Sequence, residues 1–190
     1  MNIQSTPPSK GQVPKPRPDR TPLQRHVDFF DRNSDGSTTV GETYKGLRAL
    51  GLGRALSGAA AVGINLGLAR STGAPWYSLT INNDNIHKAK HDSDSDVYDA
   101  QGNYDAAKFE EMFQKHDTNK DAALDKPEID AMLEKNKESK VGRVASGAEF
   151  GLLLRIAGQE NEGGEKVLSR ARMESFYDGS LFFKLAEERA

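Results

Sequence analysis

Residues 31–42 read DRNSDGSTTVGE, and this motif is the strongest indication of the fold class. An EF-hand loop binds calcium through oxygens at positions 1, 3, 5, 7, 9 and 12 and turns on a glycine at position 6. Each of these positions holds a suitable residue, in order Asp31, Asn33, Asp35, Gly36, Ser37, Thr39 and Glu42. We expect Ser37 to bind through its backbone carbonyl, Thr39 through water and Glu42 through both carboxylate oxygens. An acidic surface turn that only matches the pattern is the alternative.

Residues 117–128, DTNKDAALDKPE, repeat the pattern with one departure. The ligand positions hold Asp117, Asn119, Asp121, Ala123 (through its carbonyl), Asp125 and Glu128. Ala122 stands at the glycine position, where a side chain forced to positive φ costs on the order of 1 kcal/mol. The sequence therefore predicts a second, weaker calcium site, with a loop left empty at cellular calcium as the alternative.

The spacing of the two loops indicates an insertion, because they begin 86 residues apart. If they pair, Thr38 and Leu124 at position 8 would face each other in a short antiparallel bridge. A helix start at Thr21 and Pro22 precedes the first loop, and an amphipathic pattern ending at His116 precedes the second. The predicted fold is mainly α: an EF-hand pair, an inserted apolar Gly/Ala-rich helix and additional C-terminal helices.

The domain prediction is a disordered Pro-rich leader over 1–20 and one domain over 21–190. Within it we expect the first hand over 21–50, an apolar segment over 47–81, a histidine- and aspartate-rich segment over 82–104, the second hand over 105–135 and a helical part over 148–190. Helices are expected at 149–157, 166–176 and 181–190, and residues 75–81 have the composition of a short strand.

The apolar segment is rich in Leu, Ala and Gly, but only residues 55–69 are free of charge. A membrane-spanning helix needs about 20 apolar residues, so we expect no crossing here. A glycine-rich core helix and a helix lying in a lipid interface both fit the composition. Gly63 and Gly67 would allow close packing against another helix.

Composition excludes several classes of function. A formal net charge of −2 does not suit a nucleic-acid-binding protein. The chain has 0 cysteines, which excludes disulfides, thiolate nucleophiles and sulfur-ligated metals. Because the N-terminus has no apolar stretch of the length of a secretory signal, we expect an intracellular protein.

Any haem or soft-metal chemistry must therefore use the four histidines. His26 lies five residues before its loop on the apolar face of the incoming helix, as a hydrogen-bonded core residue or as a ligand. His116 corresponds to Phe30 of the first hand and is expected to pack. His87 and His91 would share one face of a helix. A transition-metal pair and a solvated surface are equally compatible with that spacing.

Five longer strings extend well beyond a generic EF-hand match. They are LQRHVDFFDRNSDG at 23–36, GETYKGLRALGLG at 41–53, INLGLA at 64–69, NIHKAKHDSDSDVYDAQGNYDAAKFEEMF at 85–113 and FYDGSLFFKL at 176–185. In this order the strings resemble the caleosins, the EF-hand peroxygenases of plant and fungal lipid droplets. The resemblance covers about residues 22–188.

The resemblance implies a b-type haem held by histidines and a hydroperoxide-dependent transfer of oxygen to unsaturated fatty acids or other lipophilic substrates. The family's essential pair corresponds to His26 and His91, and His87 is a lesser candidate for haem binding. Calcium would act structurally by fixing the helix that carries His26.

Location and alternative functions follow from the same resemblance. The family's apolar segment usually carries a proline-rich knot that inserts into the lipid monolayer, whereas this chain has only Pro75 there. The resemblance implies a lipid-droplet or membrane surface, and because the proline-rich knot is reduced, a soluble cytoplasmic protein is the alternative. A non-catalytic calcium-dependent lipid-surface protein and a soluble calcium buffer or sensor are the competing functions.

Overall fold

The structure is a computed structural model that describes residues 15–89, 97–135 and 140–189. The α-helices are α1 Pro22–Asp28, α2 Val40–Ala49, α3 Arg54–Ala69, α4 Ala106–His116, α5 Lys126–Lys135, α6 Lys140–Ala157, α7 Arg170–Tyr177 and α8 Leu181–Glu188. The strands are β1 Ser37–Thr38, β2 Ile81–Asn82, β3 Ala123–Leu124, β4 Gln159–Glu160 and β5 Lys166–Ser169, and a 3-10 helix spans Asn83–Ala89. The mainly α prediction is confirmed.

The described chain divides into two compact units. The first unit comprises residues up to Arg20, residues 24–89 and residues 182–189. The second comprises residues 21–23 and the described residues from 97 to 181. Each unit contains one of the two loops identified from the sequence.

The first unit is built around a two-stranded antiparallel sheet and an aromatic core. Strand β1 pairs with β2, so that Thr38 faces Ile81. In the core, the Phe29 ring packs edge-on against Phe183 with centroids 5.4 Å apart. A Cβ on Gly46 would lie 2.3 Å from the Phe30 ring, so only glycine lets α2 approach that ring.

Helix α3 buries a narrow stripe of small and polar residues rather than its large apolar ones. The buried positions recur every fourth residue, at Ser57, Ala61, Asn65 and Ala69. The Asn65 amide donates to the carbonyl oxygens of Thr38 (2.9 Å) and Leu79 (2.7 Å). Asn65 Oδ1 accepts a 2.7 Å hydrogen bond from the Thr43 hydroxyl. One buried amide thus joins α3 to the first loop, to the chain before β2 and to α2.

The expected packing of Gly63 and Gly67 against another helix is wrong for this structure. A Cβ built on either glycine has no neighbour within 4 Å. Helix α3 packs instead through the opposite face, which carries the buried stripe of Ser57, Ala61, Asn65 and Ala69. Among the described helices, none has both the length and the apolar character needed to cross a membrane.

The second unit places its loop on a three-stranded antiparallel sheet of order β3-β5-β4. Leu124 faces Leu168 across β3 and β5. Residues of α4 that the pattern marked as apolar are buried, as predicted, among them Phe109, Met112 and Phe113. Helix α6 begins nine residues before the expected helix at 149–157, at Lys140.

Three predictions of local structure are wrong. The bridge between Thr38 and Leu124 does not form, because each residue is paired with a strand of its own unit. Residues 166–169 of the expected helix form β5, since Val167 and Leu168 complete the sheet begun by β3. In the expected strand at 75–81, only Ile81 is in a strand.

Candidate functional site

The first loop is organised around the buried carboxylate of Asp31, which is 1% exposed. Asp31 Oδ1 accepts from the backbone N–H of Asp35 (3.1 Å) and Oδ2 accepts from that of Gly36 (2.9 Å). Gly36 has φ +85°, a conformation that glycine adopts without strain. The Asp31 side chain at position 1 therefore stabilises the turn at positions 5 and 6 by two hydrogen bonds.

Glu42, the last ligand position, is held by the start of α2. Glu42 Oε2 accepts from the Thr39 N–H (3.0 Å) and hydroxyl (2.7 Å). The Glu42 N–H donates in return to Thr39 Oγ1 at 3.3 Å, which completes a capping box. The last three loop residues already belong to the first turn of α2, so the helix start fixes the Glu42 backbone.

The electrostatics of this loop favour a cation. Burial raises the pKa of the Asp31 carboxyl, and the nearby charges of Asp35 and Glu42 add to the increase. A hydrogen bond from the Ser37 hydroxyl lowers the pKa of Asp35. Carboxylate, amide, hydroxyl and carbonyl oxygens are the donors that calcium prefers. In the described residues, no three His, Cys, Asp or Glu side chains alone converge closely enough to hold a metal.

The second loop repeats this geometry with alanine at the turn. Asp117 Oδ1 accepts from the Asp121 N–H (3.2 Å), and its Oδ2 accepts from the Ala122 N–H (3.1 Å). Ala122 has φ +61°, so the predicted positive φ is confirmed. The strain expected at this position is thus present in the structure.

Glu128, the last ligand position of the second loop, accepts a different set of hydrogen bonds from Glu42. Its Oε1 accepts from the Thr118 N–H and hydroxyl, both at 2.8 Å. Its Oε2 accepts from the Asp125 N–H at 3.2 Å, and the Glu128 N–H donates to Asp125 Oδ1 at 2.8 Å. The last ligand position therefore contacts both ends of the loop.

The histidines occupy different places. His26, on α1, is half-buried and packs against Phe182 with ring centroids 4.5 Å apart. His87 is also half-buried and lies in the 3-10 helix of the same unit. His116 is buried on α4 in the second unit, which agrees with a packing role. His91 lies outside the described residues.

A charge cluster that sequence reasoning missed stands next to the first loop. Asp28 is 5% exposed, and its carboxylate is bound by Arg17 at 2.7 Å and Arg20 at 2.9 Å. Asn83 adds a longer contact at 3.4 Å. Arg17 also reaches within 3.9 Å of Asp31. An aspartate beside the apolar Val27 and Phe29 was the available signal, because a buried carboxylate needs partners.

Comparison with known proteins identifies the family. The family model described as Caleosin related protein matches residues 18–186. The chain belongs to the caleosin family. The similarity therefore extends across the caleosin chain from the residues before α1 into α8, and the predicted family is confirmed.

Three relatives show what this caleosin is similar to. Probable peroxygenase 4 of Arabidopsis thaliana is 41% identical over 88% of this chain and 87% of its own. A peroxygenase of Lilium longiflorum is 39% identical over 88% of this chain and 71% of its own. A probable inactive peroxygenase-like protein of Arabidopsis thaliana is 32% identical over 77% of this chain and 70% of its own. No solved structure matches the caleosin chain.

The two more similar of these relatives bear on the enzyme class. Both are named peroxygenases, at identities of 41% and 39%, and both cover most of the caleosin chain. The prediction of a caleosin-type peroxygenase is confirmed by these two relatives. The roles of the individual histidines and loop residues stay predictions.

Proposed function

We propose that this caleosin is a calcium-binding haem peroxygenase that transfers oxygen from a hydroperoxide to an unsaturated fatty acid or another lipophilic substrate. The observation that carries the proposal is the position of His26 on the helix that enters the intact first loop. Its ring lies against Phe182, in an aromatic cluster that also contains Phe29 and Phe30. One short segment therefore joins the calcium loop to a half-buried imidazole.

Calcium in the first loop is proposed to hold α1 and α2 in a fixed relation. Asp31 lies just after α1 and Glu42 lies within α2, so a cation shared by the two carboxylates links the two helices. The charges that raise the pKa of Asp31 would be neutralised by the same cation. The orientation of His26 would then depend on calcium through α1. The second loop is proposed as a further calcium site.

The described residues fit a haem in their chemistry. Imidazole is a haem ligand in proteins, and an apolar aromatic wall suits a macrocycle and limits access of water. His26 and His91 would hold the haem, with His87 as the lesser candidate. When bound, the haem supplies the redox chemistry of hydroperoxide activation. The chain's own part is to orient His26 against Phe182, with Phe29 and Phe30 in the same apolar cluster.

The test is a visible absorption spectrum of the calcium-loaded protein mixed with haemin. We expect a sharp Soret band in the wild type that shifts or disappears in His26→Ala and in His91→Ala. The His87→Ala variant is the matched control and should keep the band. An unchanged band in both His26→Ala and His91→Ala would contradict the proposed ligation. Calcium titration of each variant checks that the fold is intact.

A second proposed function is binding to a lipid surface, and one observation favours it. Trp76 is 82% exposed and Leu66 is 60% exposed. The other exposed large apolar residues of the described chain belong to α3 and to the segment that follows it, namely Leu56, Val62, Tyr77 and Leu79. Exposed Arg54 and Arg70 flank the helix and would attract anionic lipid headgroups.

Lipid binding can be followed through Trp76, because the chain has 1 tryptophan. Triacylglycerol droplets coated with anionic phospholipid should shift the Trp76 emission to shorter wavelength and sediment with the protein. Leu66→Ser should weaken this binding, whereas Ala107→Ser, at an exposed position of α4 in the second unit, should not. Equal binding by the two variants would contradict a role for this apolar face.

A further inference from the structure

Each calcium loop is paired with a segment that follows it at a regular distance. Position 8 of the first loop, Thr38, faces Ile81, and position 8 of the second, Leu124, faces Leu168. These four residues are separated by 43, 43 and 44 residues along the chain. In EF-hand pairs the two position-8 residues face each other, so the register places partner loops at 74–85 and 161–172. A repeat of this regularity is typical of a duplicated structural unit.

The partner loop 74–85 keeps the end of an EF-hand loop but not its ligands. Asn82, at position 9, accepts from the N–H of Asn85 at position 12, with a distance of 3.3 Å. Thr39 accepts from the N–H of Glu42 at the same distance and the same positions. The 3-10 helix at this end takes the place of an outgoing helix. Positions 1, 3 and 12 are Ala74, Trp76 and Asn85, none of them acidic.

The partner loop 161–172 keeps the beginning of an EF-hand loop. Asn161 Oδ1, at position 1, accepts from the N–H of Glu165 at position 5 (2.9 Å). The same bond joins positions 1 and 5 in both calcium loops, at 3.1 and 3.2 Å.

Its turn also repeats theirs. Gly164, at position 4, has φ +78°, and position 4 of the calcium loops has φ +60° at Ser34 and +61° at Lys120. Position 12 is Arg172, whose charge opposes a bound cation. This partner loop, the fourth loop in chain order, therefore shares the hydrogen bond at position 1 and the turn at position 4 with the calcium loops, but its Lys166 at position 6 lies in β5 without a positive φ. Its Arg172 does not suit calcium.

We propose that the chain consists of four EF-hand units in two pairs, each pair joining one calcium loop to one loop without ligands, and that it binds two calcium ions independently. The proposal rests on the proposed calcium function of the two complete loops.

Independence follows from what each calcium loop shares its sheet with. In a pair with two metal sites, ordering one strand prepares its neighbour, which couples the two sites. Here Asn83 donates its N–H to the carbonyl of Gly36 (3.0 Å), and the Thr38 hydroxyl donates to Asn83 Oδ1 (2.9 Å). The loop without ligands thus supports β1 without a cation of its own. Likewise, β3 pairs with β5. Strand β5 belongs to the partner loop 161–172, which has Arg172 at position 12.

Calcium titration of the wild type and two matched variants tests the independence. Isothermal calorimetry of the metal-free protein should give two calcium ions bound with a Hill coefficient no greater than one, because independent sites of unequal affinity broaden the binding curve. Glu42→Gln should remove one site and leave the affinity of the other within about twofold, and Glu128→Gln should do the reverse. A change of about fivefold or more at the remaining site, the lower range of measured coupling, would overturn independence.

Disulfide trapping tests the pairing without relying on calcium or haem, and the chain offers a background with 0 cysteines. The residues facing each other are Ser37 with Asn82 and Ala123 with Ser169. Because facing residues in a sheet lie within reach of a disulfide, both double-cysteine variants should cross-link under mild oxidation. The re-paired control, Ser37→Cys with Ala123→Cys, should cross-link more slowly.

Faster cross-linking of the re-paired control would overturn the four-unit arrangement. Cross-linking in the expected pairs with no calcium bound at either loop would instead contradict the proposed calcium function and leave the pairing intact. Both results can be obtained from protein that has never been exposed to haemin.

Discussion

The two calcium loops share one fingerprint but differ in what holds them. In the first, Asp31 is buried and lies beside the Asp28 cluster, while Gly36 turns without strain. In the second, Asp117 is half-buried, Ala122 carries a positive φ, and Glu128 bonds back to the start of its own loop. The first loop is thus stabilised mainly by its surroundings, and the second mainly by itself. Matching ligands alone therefore do not make the two sites equivalent.

The largest expected effect is the loss of the last ligand in the first loop. Glu42→Gln removes a negative charge and a two-oxygen ligand, so calcium affinity at this loop should fall by at least about tenfold to a hundredfold, the scale on which even outer partners of a metal act. The change should also lower the thermal stability of the calcium-loaded protein. Calorimetry against Glu128→Gln measures the effect at each loop. An unchanged affinity at the first loop would contradict its assignment as a site.

A variant of Asn65 tests whether contacts from outside the first loop stabilise it. Asn65→Ala leaves the carbonyls of Thr38 and Leu79 and the hydroxyl of Thr43 without this partner, at a cost of about 2–4 kcal/mol in the free energy of unfolding. The residue nine positions before the fourth loop is Leu152, so the second unit has no such amide there.

Ser57→Ala is the matched control, because Ser57 is buried on the same stripe and makes only a 3.3 Å hydrogen bond to Leu52. It should cost about 1 kcal/mol or less. Urea unfolding compares the two variants. If Asn65→Ala costs no more than Ser57→Ala, the amide does not stabilise the first loop.

The smallest expected effect concerns the turn at position 6. Ala122→Gly should relieve the strain at φ +61°, and calcium affinity at the second loop should rise by up to about fivefold, equivalent to about 1 kcal/mol. Gly36→Ala introduces the same strain in the first loop, where an added Cβ meets no atom within 4 Å. Its affinity should fall by a similar factor. Equal affinities before and after both exchanges would remove strain as the cause of the difference.

The sequence predicted the two loops and their flanking helices because an EF-hand is specified by residues that are close together in the chain. Its geometry at Asp31 and Ala122 follows from local backbone requirements. The caleosin family was indicated by five longer strings, which extend well beyond the EF-hand motif. These parts of the fold could therefore be predicted from the sequence.

The pairing of the loops was not accessible in the same way. The partner loops have lost the acidic residues by which a loop is recognised, as Ala74 and Arg172 show. Strand register depends on long-range contacts, so the sequence predicts a helix where residues 166–169 form β5 and pair with β3. The Asp28 cluster joins residues up to 66 positions apart, from Arg17 to Asn83, and no local pattern indicates it.

The most direct test of the account is hydroperoxide-dependent oxygenation of an unsaturated fatty acid by the haem-loaded protein, with and without calcium. We predict turnover by the calcium-loaded wild type, turnover no greater than that of free haemin in His26→Ala, and unchanged calcium binding in that variant. His87→Ala should retain most of the activity. Wild-type turnover by His26→Ala, with calcium bound, would contradict the central claim that the helix entering the first loop carries the reactive site.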